Sequence, residues 1–474
     1  MNKSRILLIG LGPHSKRIYI RALRKLELEP ILIIDIESQK ENILSYLKEH
    51  NIKAETYFIP SEEKDFENLS ATVVLHLDQL IHSLRITHAI ISTEPKAHYA
   101  YLQYLISRKI TTLTDKPITS PAQVCNNPEQ ALLIKKQFNH LINLIDQYKT
   151  NVVVQCQRRY DQRYIWIKSI ITDFMKRYEI PVHNIQIFHS DGSFYTPDDI
   201  LMRENHPYKF GYGKIFHSGY HFIDLMNMML SWENLPENKR PDSYNHMSMH
   251  FDPHDQLFSM DQQFYNKLFP EKSYEKEFDQ WKAGKYKNLG EIDYSGLIQF
   301  TKESIVLSTG VINLMNSGFS RRAWSKQAKD TYKGNGRVKH ETMYLNLGPF
   351  LSIQVHSYQS SEIKDRDNPQ YNHQSVGGLD HYQIYIFRNP DLIGGKPCEV
   401  IEGQNLFSSD IENDPYFIGY NEKAKDNCIN EFSIGKYDKS PLSSHKNTIE
   451  MICSAYLNIS NERNGKIPYM HVSL

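Results

Sequence analysis

The first 35 residues set the strongest constraint on the fold. Ile6-Leu7-Leu8-Ile9 is an apolar run of strand length, and it leads straight into Gly10-Leu11-Gly12-Pro13-His14-Ser15. A helical stretch from Ile18 to Leu28 follows, then a second apolar run, Ile31 to Ile34, that closes on Asp35. Strand, glycine turn, helix, strand and acid, in that order, make a phosphate-binding βαβ unit. Gly10 permits the tight turn, and Gly12 lets a pyrophosphate approach the backbone at a helix N-terminus. The third small position holds Ser15. Asp35 stands about 25 residues after Gly10, where a carboxylate accepts hydrogen bonds from an adenosine ribose and repels a 2′-phosphate. The expectation is NAD rather than NADP. The plainer alternative, a glycine turn with a chance acid, does not account for the five features in order.

The pattern continues. A helix is expected from Glu37 to Glu49, strands at Ala89 to Ser92 and Thr111 to Thr114, and a helix from Ala97 to Ser107 between them. Another helix, Glu129 to Tyr148, leads to a last strand at Val152 to Gln155. Nearly continuous apolar strands separated by helices predict a doubly wound parallel sheet covered on both faces. The first boundary falls near Arg158, giving a nucleotide-binding domain over 1–157 and a second domain over 158–474. In the latter a helix at Tyr164 to Arg177 precedes a strand at Asn184 to His189. A polar, aromatic segment around 232–290 reads as an insertion of helices and loops. From Tyr294 onward, runs such as Ile305 to Ser308, Tyr344 to Leu347 and Gln383 to Ile386 predict an open, mainly antiparallel sheet. A final helix is expected over Ser444 to Asn458, so the second domain is α+β.

Composition narrows the function classes. Lys+Arg and Asp+Glu both number 55, which leaves no global field for nucleic acid or an anionic membrane. No apolar run approaches membrane-spanning length, and Ile6 to Ile9 is too short for a signal-peptide core. Cys125, Cys156, Cys398, Cys428 and Cys453 show neither zinc-ligand nor redox spacing, as expected for thiols in a reducing cytoplasm.

Two further groups of residues carry chemistry. Asp115-Lys116-Pro117 ends the strand at Thr111 to Thr114, so the lysine projects from the ligand-binding edge of the sheet. There an ammonium can donate to a substrate oxygen and stabilise developing negative charge. Thr93-Glu94-Pro95-Lys96-Ala97-His98 follows the preceding strand at the same edge; His98 is either a cofactor contact or a polar residue of the first helical turn. Beyond Arg158, the segment Gly211-Tyr212-Gly213 opens a helix on which His217, His221 and Asp224 recur at spacings of four and three. Two imidazoles and a carboxylate on one face can bind a metal or form a base with its orienting partners. The metal version lacks a further ligand.

The order of these motifs resembles the glucose-fructose oxidoreductase / inositol dehydrogenase / MocA family of nicotinamide-dependent sugar oxidoreductases. Gly10 to Arg17, the Thr93 to His98 turn and Asp115-Lys116-Pro117 resemble its Rossmann half, with Asp115 where the family usually has Glu. Gly213 to Asp224 resembles its second-domain signature, with His217 where the family has aspartate, and Arg158-Arg159-Tyr160 resembles the segment after the last Rossmann strand. The resemblance implies a cofactor site of Gly10, Gly12, Pro13, His14, Ser15, Asp35, Thr93, Glu94, Pro95, His98, Asp115 and Lys116. It implies catalysis by Lys116, His221 and His217, with Asp224, Arg158 and Tyr160 on the substrate. The substrate would be a sugar or cyclitol, without a metal, in a cytoplasmic homo-oligomer (dimer or tetramer) that engages neither nucleic acid nor membrane. His221 would take the hydroxyl proton and Lys116 would donate to the same oxygen. Three alternatives stay open: a non-catalytic nucleotide- or sugar-binding sensor, a lyase or epimerase using transient oxidation, and a metal-dependent hydrolase.

Overall fold

Short β-branched and leucine runs become the strands of a parallel sheet: β1 (Ile6–Ile9), β2 (Pro30–Ile36), β3 (Glu55–Ile59), β4 (His88–Ile91), β5 (Thr111–Asp115) and β6 (Val152–Gln155). The structure, a computed structural model, describes residues 4–408 and 411–474 except 66, 205, 327–335, 363–364, 366–367, 369 and 371. Every neighbouring pair in this sheet is parallel, in the order β3-β2-β1-β4-β5-β6. That is the Rossmann order, with the strand sequence reversing between β1 and β4. All four β1 residues and all four β6 residues are buried, as a sheet covered on both faces requires.

The chain forms two compact units. The first comprises Met1–Pro121, Leu133–Asp161 and Asp410–Ile449; the second comprises Ala122–Leu132, Gln162–Ser409 and Glu450–Leu474. The chain passes out of the first unit after Asp161 and returns to it ahead of Ile411. It brings the helix Tyr420–Ser433, whose Ala424, Cys428, Ile429 and Phe432 join the core beneath the sheet with Ile18, Tyr19 and Leu23. Two of its acids, and Asp414 ahead of it, meet a basic stripe on the first helical segment. Arg17 pairs with Glu422 at 3.4 Å, Arg21 makes a two-pronged pair with Asp426, and Lys25 pairs with Asp414. That first segment also starts earlier than predicted, at Pro13, and runs through a π turn at Lys16–Ile20 before ending at Lys25.

The second unit carries the larger sheet. Its strands are β7 (Asn184–Ser190), β8 (Ser243–Phe251), β9 (Asp293–Lys302), β10 (Ile305–Met315), β11 (His340–Leu347), β12 (Leu351–Tyr358), β13 (Gln383–Arg388), β14 (Cys398–Glu402) and β15 (Tyr469–Ser473). Their order is β14-β13-β12-β11-β7-β10-β9-β8-β15, and among the described residues only β7 and β10 pair in parallel. Two predictions need correction. The polar segment around 232–290 is not only helices and loops, because β8 lies inside it and takes an internal place in the sheet. The last helix runs over Lys446–Arg463, beyond the expected Asn458, and is followed by the unexpected β15. The rest of the insertion is three short helices, Pro253–Ser259, Gln262–Leu268 and Glu275–Lys282, held by a cluster including Tyr265, Phe269, Tyr274 and Phe278.

β8 explains its own concealment. Its inward residues Tyr244, His246 and Ser248 are buried, while Met247 and Met249 point outward, so polarity runs opposite to the usual alternation. His246 is made tolerable by partners on both nitrogens, Ser454 Oγ at 2.7 Å and Tyr294 Oη at 2.7 Å. Burial pushes its pKa down to about 3. The folded ring therefore stays neutral while the unfolded ring takes a proton below its ordinary value, so stability is full above that value and falls with pH beneath it. Within that window each pH unit should remove up to about 1.4 kcal/mol. Denaturant unfolding from pH 7 to pH 4 should show this slope, and His246→Gln should flatten it while lowering stability at pH 7.

Candidate functional site

The turn after β1 is set by Gly10. Its φ is +88°, and a Cβ there would lie 2.5 Å from the Ser92 carbonyl oxygen, so a side chain is excluded on both counts. Gly10 N–H donates to Ile34 O at 2.8 Å, which ties the turn to β2. Asp35 then accepts from Leu11 N–H at 2.7 Å and from Ile36 N–H at 2.8 Å. Burial raises its pKa, and these two amides act against the rise. Each carboxylate oxygen keeps a second lone pair, so a ribose hydroxyl can still be accepted.

Gly12 is different in kind. A Cβ there would meet nothing within 4 Å, and the backbone is extended rather than left-handed. The space over Gly12 is therefore open while the turn around it is closed. Pro13 occupies the start of the helical segment. The hydroxyls of Ser15 and Ser92 are buried without a hydrogen-bond partner among the described residues. Open backbone at a helix start, two unsatisfied hydroxyls and a carboxylate at the end of β2 fit a dinucleotide.

The neighbouring strand ends complete this edge. β5 closes on Asp115, which accepts from Tyr19 Oη at 2.6 Å and lies 3.7 Å from His14 Nε2. Burial, opposed by Asp115 and reinforced by Lys425 and Lys116, pushes the His14 pKa down to about 4. Half-buried Lys116 follows at the strand end, joined to Pro117 by a cis peptide bond. Thr93, Glu94 and Pro95 form the turn after β4. His98 is fully buried, with Nδ1 2.7 Å from Pro117 O and Nε2 3.2 Å from Thr93 O. It clamps the two turns together, so its ring is engaged by the chain and is not open to a cofactor.

Sequence reasoning missed Lys425 at this edge. Burial pushes its ammonium pKa down, while Glu422 and Asp115 pull it up. Its helix announces itself in the spacing of Tyr420, Ala424, Cys428 and Phe432, an i, i+4 stripe that went unread. Tyr160, expected on the substrate, lies instead in the first unit's core, with its hydroxyl against the Cys428 thiol. Arg158 is 6 % exposed in the same unit.

The second unit holds the histidine cluster. Gly213 and Gly290 permit a close backbone approach, since a Cβ on Gly213 would lie 1.8 Å from Glu291 O and one on Gly290 1.9 Å from Tyr212 O. Buried Glu291 accepts from Ile215 N–H at 2.8 Å and so fixes the start of the helix. A π turn, Ile215–Gly219, carries His217, and the helix Tyr220–Leu230 carries His221 and Asp224. Asp224 is fully buried, while His217 and His221 are 7 % and 8 % exposed. The His217 ring lies 4.8 Å from His206, 5.5 Å from Tyr208 and 6.0 Å from Tyr212, between centroids. Among the described residues, no three His, Cys, Asp or Glu side chains are grouped so as to hold a metal ion.

No family model and no curated protein matches this sequence. Solved structures do match in fold. An oxidoreductase from Agrobacterium radiobacter, in complex with NAD+, L-tartaric acid and magnesium, is similar at 11 % identity and TM-score 0.58, over 100 % of this chain and 98 % of that one. The aldose-aldose oxidoreductase of Caulobacter crescentus, complexed with glycerol, is similar at 11 % identity and TM-score 0.56, with 100 % of both chains covered. An NAD binding oxidoreductase from Klebsiella pneumoniae follows at 12 % identity and TM-score 0.57, with 99 % of both covered. The likeness spans both units of the chain and establishes their fold.

The two glycines separate structure from binding. Gly12→Ala should leave the melting temperature unchanged and weaken NADH about tenfold or more, because its methyl group enters space open to the pyrophosphate. Gly10→Ala should instead lower stability by about 1–3 kcal/mol or more, through its positive φ and the clash. Thermal unfolding and NADH fluorescence titration on both variants check this.

Proposed function

We propose that this chain is an NAD(H)-dependent oxidoreductase acting on a hydroxyl-bearing carbon of a sugar, cyclitol or related compound. The observation that carries the reading is the open backbone over Gly12, closed in by Asp35 and placed where the strand order reverses between β1 and β4. Solved structures that share the fold over their whole length include an NAD+ complex and an aldose-aldose oxidoreductase, which supports both the cofactor and the substrate class.

The chain's residues then divide the work. Gly10, Gly12, Pro13 and Ser15 hold the pyrophosphate, and Asp35 holds the adenosine ribose. Bound nicotinamide supplies the hydride acceptor or donor. Lys116, at the end of β5, donates to the reacting oxygen and stabilises alkoxide character. His221 takes or returns the hydroxyl proton, and histidine is suited to this near neutral pH. Asp224, one turn on, is buried within the second unit and orients the helix that carries His221. His14 stays neutral at neutral pH, which leaves Lys116 and Lys425 as the positive charges beside Asp115.

NADH should bind more tightly than NADPH in fluorescence titrations, and Asp35→Ser should narrow the gap. Equal affinities in the natural protein would remove Asp35 from the ribose. Lys116→Ala and His221→Ala should each lower turnover by about a hundredfold or more while changing NADH affinity far less. Wild-type turnover in both variants would overturn the assignment.

A specific observation keeps the sensor reading in view, since His217, which stands where the resembled family has aspartate, sits among rings. The test is His217→Asp. Activity in the natural chain supports the enzyme reading. Activity that emerges only in His217→Asp would make the natural protein a sensor.

A further inference from the structure

The large sheet of the second unit buries one face and leaves the other uncovered among the described residues. Ile185, Leu345, Ile353, Ile386, Ile298 and Ile312 stand on the buried face, each 3 % exposed or less. Alternation puts their sequence neighbours on the opposite face. There the register forms one unbroken row. Val311 pairs with Gln186 and Leu297, Gln186 with Tyr344, Tyr344 with Gln354, and Leu297 with Met247. The row reaches both edge strands, ending at Val400 on β14 and Tyr469 on β15. Each of these residues is half-buried or exposed. Met247, Leu297, Val400 and Tyr469, all largely apolar, are between 43 % and 50 % exposed. Met249, two residues along β8, is 52 % exposed.

What the face lacks identifies its partner. The rows on either side pass through Asn184 and through Phe188. Across the three rows Glu402 is the only Asp, Glu, Lys or Arg, and its carboxylate accepts from Gln383 Nε2 at 2.8 Å. Those four residue types make up 23 % of the chain, so an open sheet face nearly free of them is not ordinary solvated surface. Amides take their place, among them Asn184, Gln186, Asn245, Gln299 and Gln354. A carboxamide both donates and accepts, so it can pair with another copy of itself. A strongly charged face would repel its own copy, and a partner chosen by charge finds almost nothing here to read. The size also fits. Nine strands spaced by about 4.8 Å span about 40 Å, and three rows cover about 20 Å along the strands. The product is about 800 Å², the share each partner contributes to a standard stable interface.

We infer that this face is the interface of a homodimer, in which a second copy of the chain packs sheet on sheet about a two-fold axis. Met247, Met249, Leu297 and Tyr469 supply apolar burial, and the amides hydrogen-bond across the interface. The inference stands apart from the oxidoreductase reading, because no residue of the three rows belongs to the proposed cofactor or catalytic set.

Sedimentation velocity on the full chain over a dilution series tests this. At the concentrated end the mass should be twice the 55.5 kDa of one chain, and a single-chain mass throughout would overturn the proposal. Met247→Lys with Leu297→Lys should weaken association about a hundredfold or more, since each lysine carries a charge into the contact. Phe258→Lys is the control. Phe258 is 75 % exposed but lies on the helix Pro253–Ser259, away from the sheet, so this variant should keep the mass of the natural chain. A dimer that survives the double lysine variant, or one that Phe258→Lys dissociates, would also overturn the proposal. Peroxide oxidation of the natural chain needs no variant. Met247 and Met249 should be protected where the dimer forms and oxidise on dilution, while Met202, 76 % exposed on the helix Pro197–Met202, oxidises at both concentrations. Equal oxidation of all three methionines in the dimer would place the contact elsewhere and remove this face from it.

Discussion

One main-chain oxygen disciplines the edge of the first sheet on which the proposed cofactor binding depends. Ser92 O leaves no room for a side chain on Gly10, and the left-handed φ of that glycine turns the chain so that Leu11 N–H meets Asp35. The same turn leaves Gly12 facing open space. Tyr19, further along the following helical segment, reaches Asp115 at the end of β5. Three strand ends are thus tied to one loop: β2 through Asp35, β4 through Ser92 and β5 through Asp115. A carboxylate that grips the loop cannot move independently of it. In the proposed NAD(H) site Asp35 would therefore meet the ribose from a fixed position, with the phosphate-facing turn and the carboxylate built as one construction.

The first unit is finished only by residues from the far end of the chain. Arg17, Arg21 and Lys25 recur every four residues on one face and meet Glu422, Asp426 and Asp414. Such pairs contribute about 0–1 kcal/mol each when exposed, so partly buried pairs of this kind set register more than they set stability. The apolar contacts of Ala424, Cys428, Ile429 and Phe432 supply the larger share, at about 1.5–3 kcal/mol for each large side chain buried. Ion pairs choose the rotation of the helix, and that rotation brings Lys425 to Asp115. A second ammonium consequently arrives at the edge where Lys116 is placed.

What was legible in the sequence followed the strength of its periodic signals. Ile6 to Ile9 and Val152 to Gln155 are continuous apolar runs, and these two strands could be read from the sequence residue by residue, whereas β3, with its exposed and half-buried start, went unpredicted. The glycine turn, Asp35 and the His217, His221 and Asp224 series were visible because each pairs a residue type with a spacing. β8 was hidden because His246 and Ser248 face inward on hydrogen bonds, so polarity no longer marked the outer face. His98 was legible as a residue and not as a role, since its two carbonyl partners come from turns separated in sequence. Tyr160 looked available for the same reason: nothing local reveals that a helix over 250 residues later will cover it. Tertiary contacts of long sequence separation decided every one of these cases.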